Sequence, residues 1–184
     1  MENLLKQAGI ATSWNNHLPL LWFALEETQT GKVVELGMGD GSTQWLRNYC
    51  SKKNRELISY DNDISWFNKH QHDGAVFTRD WDRIETLGVT VVLVDHAPGE
   101  RRVEDALKYK QNKAIVVCHD TEAPPCGGNY KWHEAFKEYK YKATVKGKSA
   151  DGVHNGVWAT ALSNHYDVTK WIGMRIGEYT IVEY

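Results

Sequence analysis

The sequence predicts an α/β fold in which a mostly parallel sheet is covered by helices on both faces and closed by an antiparallel strand pair. Three observations predict it. Short apolar runs at Val33 to Leu36, Val89 to Val94 and Ala114 to Cys118 each stop at a glycine or at Asp/His residues. Segments with helical spacing alternate with them, which is the rhythm of crossover units in a parallel sheet. Beyond Pro124-Pro125, two strand-like runs are joined by a loop too short for a crossover helix, so that pair is antiparallel.

The elements follow in order. The first thirty residues read as a helical cap, with Asn15 and Asn16 as capping residues, Pro19 in a first turn and Gly31 as the C-cap glycine. A core over 31–165 begins with the strand Val33 to Leu36. Next come a helix from Ser42 to Tyr49, a strand from Leu57 to Tyr60 ending at Asp61, and a helix from Ile64 to His70. A short strand, Ala75 to Thr78, ends near Asp80. Val89 to Val94 ends at Asp95, a helix covers Val103 to Tyr109, and Ala114 to Cys118 runs into His119-Asp120. A helix from Tyr130 to Tyr139 precedes the closing strands Tyr141 to Lys146 and Gly156 to Leu162. The extension 166–184 holds a further hairpin over Trp171 to Tyr184. All of this fits a single domain.

Composition narrows the class. Apolar residues are 41% and charged residues 25%, with a net charge of -2, the balance of a soluble globular chain. No stretch reaches the ~18 apolar residues that a spanning helix needs, and the start lacks the marks of a secretory signal. The three cysteines, Cys50, Cys118 and Cys126, have no metal-knuckle spacing. A reduced, cytoplasmic protein without membrane attachment is expected, with Cys118 buried and inert in its strand. The basic stretch Lys137 to Lys148 alternates Lys with Tyr, Ala, Thr and Val. It reads as the solvated face of an edge strand, not as a nucleic-acid stripe. Most of the 8 Trp are packing residues; one or two are candidates for a platform under a sugar or aromatic ring.

The turn Glu35-Leu36-Gly37-Met38-Gly39-Asp40-Gly41-Ser42-Thr43 carries the most chemistry. It falls where doubly wound sheets bind ligands, outside the carboxyl ends of the strands at the switch point. Glycines at alternate positions let backbone approach a ligand without a Cβ in the way. Ser42 and Thr43 stand at a helix start, where hydroxyls and N–H groups can hold a carboxylate. The third glycine comes one residue too early for the dinucleotide pattern, and no Gly-Lys-Ser/Thr follows. Asp61, about twenty residues on, is placed to accept from both hydroxyls of a ribose, and Asp80 to meet an adenine amino group. The set points to a nucleoside ligand.

The run VVELGMGDGSTQWL (33–46) resembles the first motif of class I S-adenosylmethionine-dependent methyltransferases, and Asp61 matches their ribose-binding acid. The resemblance covers residues from about 30 to 165 and implies a Rossmann-like, doubly wound sheet. Gly37, Gly39 and Gly41 would then line the methionyl and ribose portions, and Glu35 would support the ligand's ammonium group. VVLVDHAPGERR and AIVVCHDTE are similar to a branch that methylates hydroxyls of sugars and small natural products. Recognition insertions are nearly absent. Either a partner subunit completes the site, a second copy included, or the acceptor lies across an open face.

A hydroxyl is a weak nucleophile at neutral pH and needs a base or a metal. Asp95 with His96 and His119 with Asp120 end neighbouring strands beside the expected methyl position. Asp95 and Asp120 are candidate ligands for Mg²⁺, and His96 and His119 are candidate bases held by an aspartate. Arg101 and Arg102 read as a solvated helix start, with an acidic-group clamp as the alternative. His133, His154 and Asn155 are candidates for the pocket edge. O-methylation of a small-molecule or carbohydrate acceptor is the expected activity. The alternatives are a non-catalytic, cofactor-binding accessory subunit and an enzyme that cleaves the cofactor itself.

Overall fold

The computed structural model describes residues 15–122, 130–148 and 155–184. One nine-stranded sheet organises them. Its strands are β1 (Lys32–Leu36), β2 (Leu57–Asp61), β3 (Ala75–Phe77), β4 (Val89–Val94), β5 (Ile115–His119), β6 (Tyr141–Lys148), β7 (Asn155–Ser163), β8 (Arg175–Ile176) and β9 (Tyr179–Val182). The order across the sheet is β3-β2-β1-β4-β5-β7-β6-β9-β8. The first five are mutually parallel, and β7 pairs antiparallel with both β5 and β6. The reversal between β1 and β4 creates the switch point. It lies between a strand that leads outward to β2 and one that leads inward to β5.

Side chains alternate across this sheet with the period of two that strands impose. Val33, Val91, Leu93, Ile115 and Val117 face α1 (Leu18–Thr28) and α2 (Ser42–Lys53), packing against Leu21, Leu25, Trp45 and Leu46. Val34, Leu36, Val92, Val94, Val116 and Cys118 face α4 (Arg102–Leu107) and α5 (Trp132–Lys137), packing against Val103, Ala106, Trp132 and Phe136. Helix α3 (Ile64–His70), beyond β2, buries none of its side chains. With both faces covered, β1, β4 and β5 are largely apolar, which is why they read so plainly in the sequence. Among the described residues, no helix is long and apolar enough to cross a membrane.

Several details differ from the sequence expectation. Helix α1 begins at Leu18, so the N-cap position is His17 and not Asn15 or Asn16. The earlier part of the expected helix lies outside the described residues. At its other end the left-handed C-cap is Gln29, whose N–H donates to Leu25, and not Gly31. Arg55 closes that end by donating to the carbonyls of Leu25, Thr30 and Gly31. Strand β6 is no edge strand: β7 flanks it on one side and β9 on the other. The expected hairpin over the last residues forms as β8 and β9, and it takes the place at the rim that the lysine alternation suggested for β6.

Candidate functional site

The chain turns at the end of β1 because Gly37 adopts φ +94, a left-handed conformation that glycine takes without strain. A Cβ there would also fall on the carbonyl oxygen of Asp95 at the end of β4. Gly37 therefore serves close packing of β1 against β4. Gly41 serves a different neighbour, since a Cβ on it would collide with the carboxamide of Asn15. Gly39 is free of both constraints. Its φ is outside the left-handed region, and an added Cβ would meet only Ser42 Oγ at 3.6 Å, an ordinary contact. Of the three glycines, Gly39 is the one where a side chain would meet no close contact.

The turn is fastened from beneath by Glu35, which is wholly buried. Its Oε1 accepts from Ser42 Oγ at 2.6 Å and from Thr43 Oγ1 at 3.0 Å, while Oε2 has no hydrogen-bond partner in the protein. The two hydroxyls expected to hold a ligand carboxylate thus hold the chain's own. A buried carboxylate needs donors, and the helix start supplies them. Burial pushes the Glu35 carboxyl up to about 7, against the opposing pull of the Ser42, Ser59 and Thr43 hydroxyls. The folded chain therefore binds a proton here that the unfolded chain has released between about pH 4.5 and 7. Stability falls as pH rises through that window, by at most on the order of 3 kcal/mol. Glu35→Gln keeps an acceptor for Ser42 and Thr43 and is expected to lack this slope. Denaturant titrations of both proteins at pH 5 and 7.5 check it; parallel slopes would show that Glu35 does not carry the effect.

Asp61, at the end of β2, lies beside the turn. Its Oδ2 accepts from Met38 N at 2.8 Å and Oδ1 from Asp63 N at 2.7 Å. Each oxygen keeps acceptor capacity beyond these two bonds. Burial raises its carboxyl, and the backbone donors work against that. Asp80 is engaged locally: it is exposed, accepts from Asp82 N at 3.0 Å to cap its own turn, and pairs with Arg83 at 3.0 Å.

At the ends of β4 and β5 the structure brings together three of the four predicted residues. His119 Nδ1 lies 3.0 Å from Asp95 Oδ1 and 3.5 Å from Asp120 Oδ1. Asp120 has φ +53, a left-handed conformation that Asp tolerates better than most residues. Burial pulls the His119 imidazole down, but the charge and contact of Asp95, aided by Asp120, outweigh it and hold the ring up to about 8. His96 does not join them. Its ring is fully buried on the α4 side, 3.0 Å from Asp105 Oδ2 and stacked on Trp81 at 4.1 Å.

The cation between Asp95 and Asp120 is Arg102. Its guanidinium reaches Asp95 Oδ1 at 3.1 Å and Asp120 Oδ2 at 2.8 Å, and its Nε donates to the carbonyl of His96 at 2.7 Å. Tyr130 lies beneath it, 4.8 Å from ring centre to guanidinium carbon. The sequence reading of Arg102 as a solvated helix start is corrected, since only 8% of the residue is exposed. Opposed carboxylates repel unless a cation neutralises them, and this guanidinium does so without Mg²⁺. Arg101 turns outward to Asp82 and Asp105.

Two groups the sequence did not point to complete the cluster. The His17 ring meets that of His119 edge to face at 4.6 Å, and Asn16 Oδ1 accepts from His119 Nε2 at 3.0 Å. Their only signal was the polar run Asn15-Asn16-His17 just ahead of an apolar helix. His133 is exposed on α5, while His154 and the side chain of Asn155 lie outside the described residues. Cys118 is buried, and burial drives its thiol well above the usual range. Of the tryptophans in view, Trp66 is the exposed one, stacked on His70 at 5.2 Å.

No protein-family model and no curated protein matches the sequence. Solved structures do. The chain is similar to the bifunctional kinase-methyltransferase WbdD at 12% identity and a TM-score of 0.54, over 84% of this chain and 42% of WbdD. It is similar to the plantazolicin methyltransferase BpumL, solved with SAH, at 11% identity and a TM-score of 0.51 over 88% of both chains. A third likeness, to the METTL16 MTase domain, has 12% identity and a TM-score of 0.50 over 82% of this chain and 68% of that one. The chain thus spans less than half of WbdD. With the strand order and the reversed β7, these likenesses give the chain the class I methyltransferase fold.

Proposed function

We propose that the chain binds S-adenosylmethionine over Gly39 and transfers its methyl group to a hydroxyl of a sugar or other small molecule. The observation that carries this reading is the turn around Gly39, where an added Cβ would meet only Ser42 Oγ at ordinary contact distance. In the same turn the Met38 N–H donates to Asp61, and Gly37 packs on the carbonyl of Asp95. Asp61 would take the ribose hydroxyls with its remaining acceptor capacity. The turn backbone would meet the methionyl portion, with Glu35, Ser42 and Thr43 holding that backbone in place. Asp80 would reach the adenine only by leaving its own turn.

Methyl transfer is an in-line displacement whose rate depends on alignment. A lone pair of the acceptor oxygen forms the new C–O bond as the S–C bond breaks. Sulfur keeps that bonding pair and leaves as a neutral thioether. The hydroxyl proton has to leave, and His119 in its neutral form, oriented by Asp95, is the base placed to take it; an ion held by the pair would supply a Lewis acid that lowers the hydroxyl's pKa. His96, shut in with Asp105, is the less favoured base of the two. Against the cost of burial, His119 first and Arg102 second hold the Asp95 carboxyl down to about 2, so it stays ionised at this site.

Asp61→Ala is expected to weaken S-adenosylmethionine binding by roughly 1–3 kcal/mol through lost charge-assisted hydrogen bonds. Asp61→Asn, which still accepts from Met38 N, should lose the smaller part. Calorimetric titration of the three proteins checks this; equal affinities would remove Asp61 from the ligand site.

A further inference from the structure

We propose that His17, Asp95 and His119 form a site for one divalent transition-metal ion of zinc type, distinct from the Asp95–Asp120 pair and from any Mg²⁺ site. The inference deepens the reading above, because such an ion would sit beside the proposed acceptor position. Metal binding itself is measured independently of that reading.

The first observation is His17. It is 2% exposed, and among the described residues neither ring nitrogen has a hydrogen-bond partner. A buried polar group left unpaired costs roughly 1–3 kcal/mol, and native structures seldom leave one without a reason.

The second observation is geometry. One nitrogen of His17, one carboxylate oxygen of Asp95 and one nitrogen of His119 all lie within 4.8 Å of one another. Tetrahedral ligands at ~2.0–2.1 Å from an ion stand ~3.4 Å apart, so small side-chain rotations bring the three into range. They come from three separate segments: the start of α1, the loop after β4 and the end of β5. Among the described residues these three are the ligands offered, and three protein ligands with a further position left for water or substrate are the arrangement of reactive zinc sites.

The third observation is orientation. His119 Nε2 donates to Asn16 Oδ1, so Nδ1 is the nitrogen left facing Asp95. Its 3.0 Å approach to that oxygen lacks the alignment of a hydrogen bond. A bound cation would take the place of the proton that Nδ1 otherwise carries beside the carboxylate. An imidazole whose other N–H is fixed by a carbonyl, beside a carboxylate fixed by its own partner, is how metal ligands are supported. Here Asn16 supports His119 and Arg102 supports Asp95. Two nitrogens and one oxygen suit zinc, cobalt or manganese better than Mg²⁺, which prefers oxygen ligands throughout.

The test is titration of chelator-treated full-length protein with Co²⁺ and Zn²⁺, read by cobalt absorption and calorimetry. One ion per chain is expected, with the intense visible bands of a four-coordinate cobalt centre and a higher melting temperature. His17→Ala and His119→Ala should each weaken binding by ~100-fold or more, since ligands matter at least as much as their outer-shell supports. His17→Gln, closer in size, guards against misfolding, with circular dichroism as the check. Asp120→Asn should keep the ion. Absence of bound Co²⁺ and Zn²⁺, undiminished binding in folded His17→Gln, or loss of the ion in Asp120→Asn would each overturn the assignment. S-adenosylmethionine affinity, measured in chelator, tells failure of this site from failure of the methyltransferase reading.

Discussion

Gly39→Val is expected to abolish S-adenosylmethionine binding in a protein that still folds, whereas Gly37→Val is expected to damage the fold itself. The two glycines sit two residues apart in one turn but answer to different neighbours. At Gly39 a new Cβ meets only Ser42 Oγ at ordinary contact distance, and the backbone is not left-handed. The folded chain therefore accommodates the branched side chain, which projects into the space assigned to the ligand. A loss of at least ~100-fold in affinity is expected, about 2.8 kcal/mol at 1.4 kcal/mol per decade. At Gly37 the new atoms fall on the Asp95 carbonyl, and φ is +94. Left-handed strain of roughly 1–2 kcal/mol then adds to overpacking of roughly 1–3 kcal/mol. Circular dichroism, thermal melts and ligand calorimetry on both variants separate the cases. A folded Gly39→Val protein with unchanged affinity would mean that the turn serves folding alone.

Arg102→Met is the second large effect, on stability as well as activity. Removing one partner of a buried charge pair costs roughly 3–5 kcal/mol. The Asp95 and Asp120 side chains are 25% and 29% exposed, so solvent takes up part of the loss. About 2–4 kcal/mol is expected at neutral pH. Without the guanidinium the two carboxylates face each other unneutralised, which raises their proton affinity. The deficit should therefore shrink as the solution is acidified toward the carboxylate range. Adding Asp95→Asn and Asp120→Asn to the Arg102→Met background should recover much of the stability, though no activity. If urea titrations put Arg102→Met within ~0.5 kcal/mol of the parent, the level of an ordinary surface change, the bridge has no structural weight.

What the sequence disclosed and what it withheld divide along one physical line. Strands β1, β4 and β5 were legible because burial on both faces makes most of their residues apolar, Glu35 being the buried exception inside β1. The place of Asp61 beside the glycine turn was legible because it ends β2, the strand paired with β1. Asp95, His119 and Asp120 declared themselves as polar residues closing apolar runs. Arg102 was misread because its partners stand at positions 95 and 120, and only the side-by-side pairing of β4 and β5 brings them within reach. His17 was missed for the same reason, at greater separation: it is over a hundred residues from His119 in sequence, yet their rings touch. His96 sits next to Asp95 in the chain, but it turns to the opposite face and its partner is Asp105. Adjacent residues at a strand end point apart as they do within the strand. Strand β6 was misplaced at an edge because lysines alternate along it, and only the returning C-terminal hairpin shows that it is flanked twice.

That hairpin has a consequence for how copies of the chain behave toward one another. An unpaired strand is a template for another molecule's backbone, and the danger grows with its length and flatness. The long strands here, eight residues in β6 and nine in β7, both lie inside the sheet, β6 being covered by β9 over Thr144 to Lys146, and the rims are β3 with three residues and β8 with two. Neither rim presents enough backbone for a stable ladder, so the sheet resists templated self-association at both ends. If the final hairpin peels away, that protection goes with it on one side, and the full length of β6 becomes an adhesive surface.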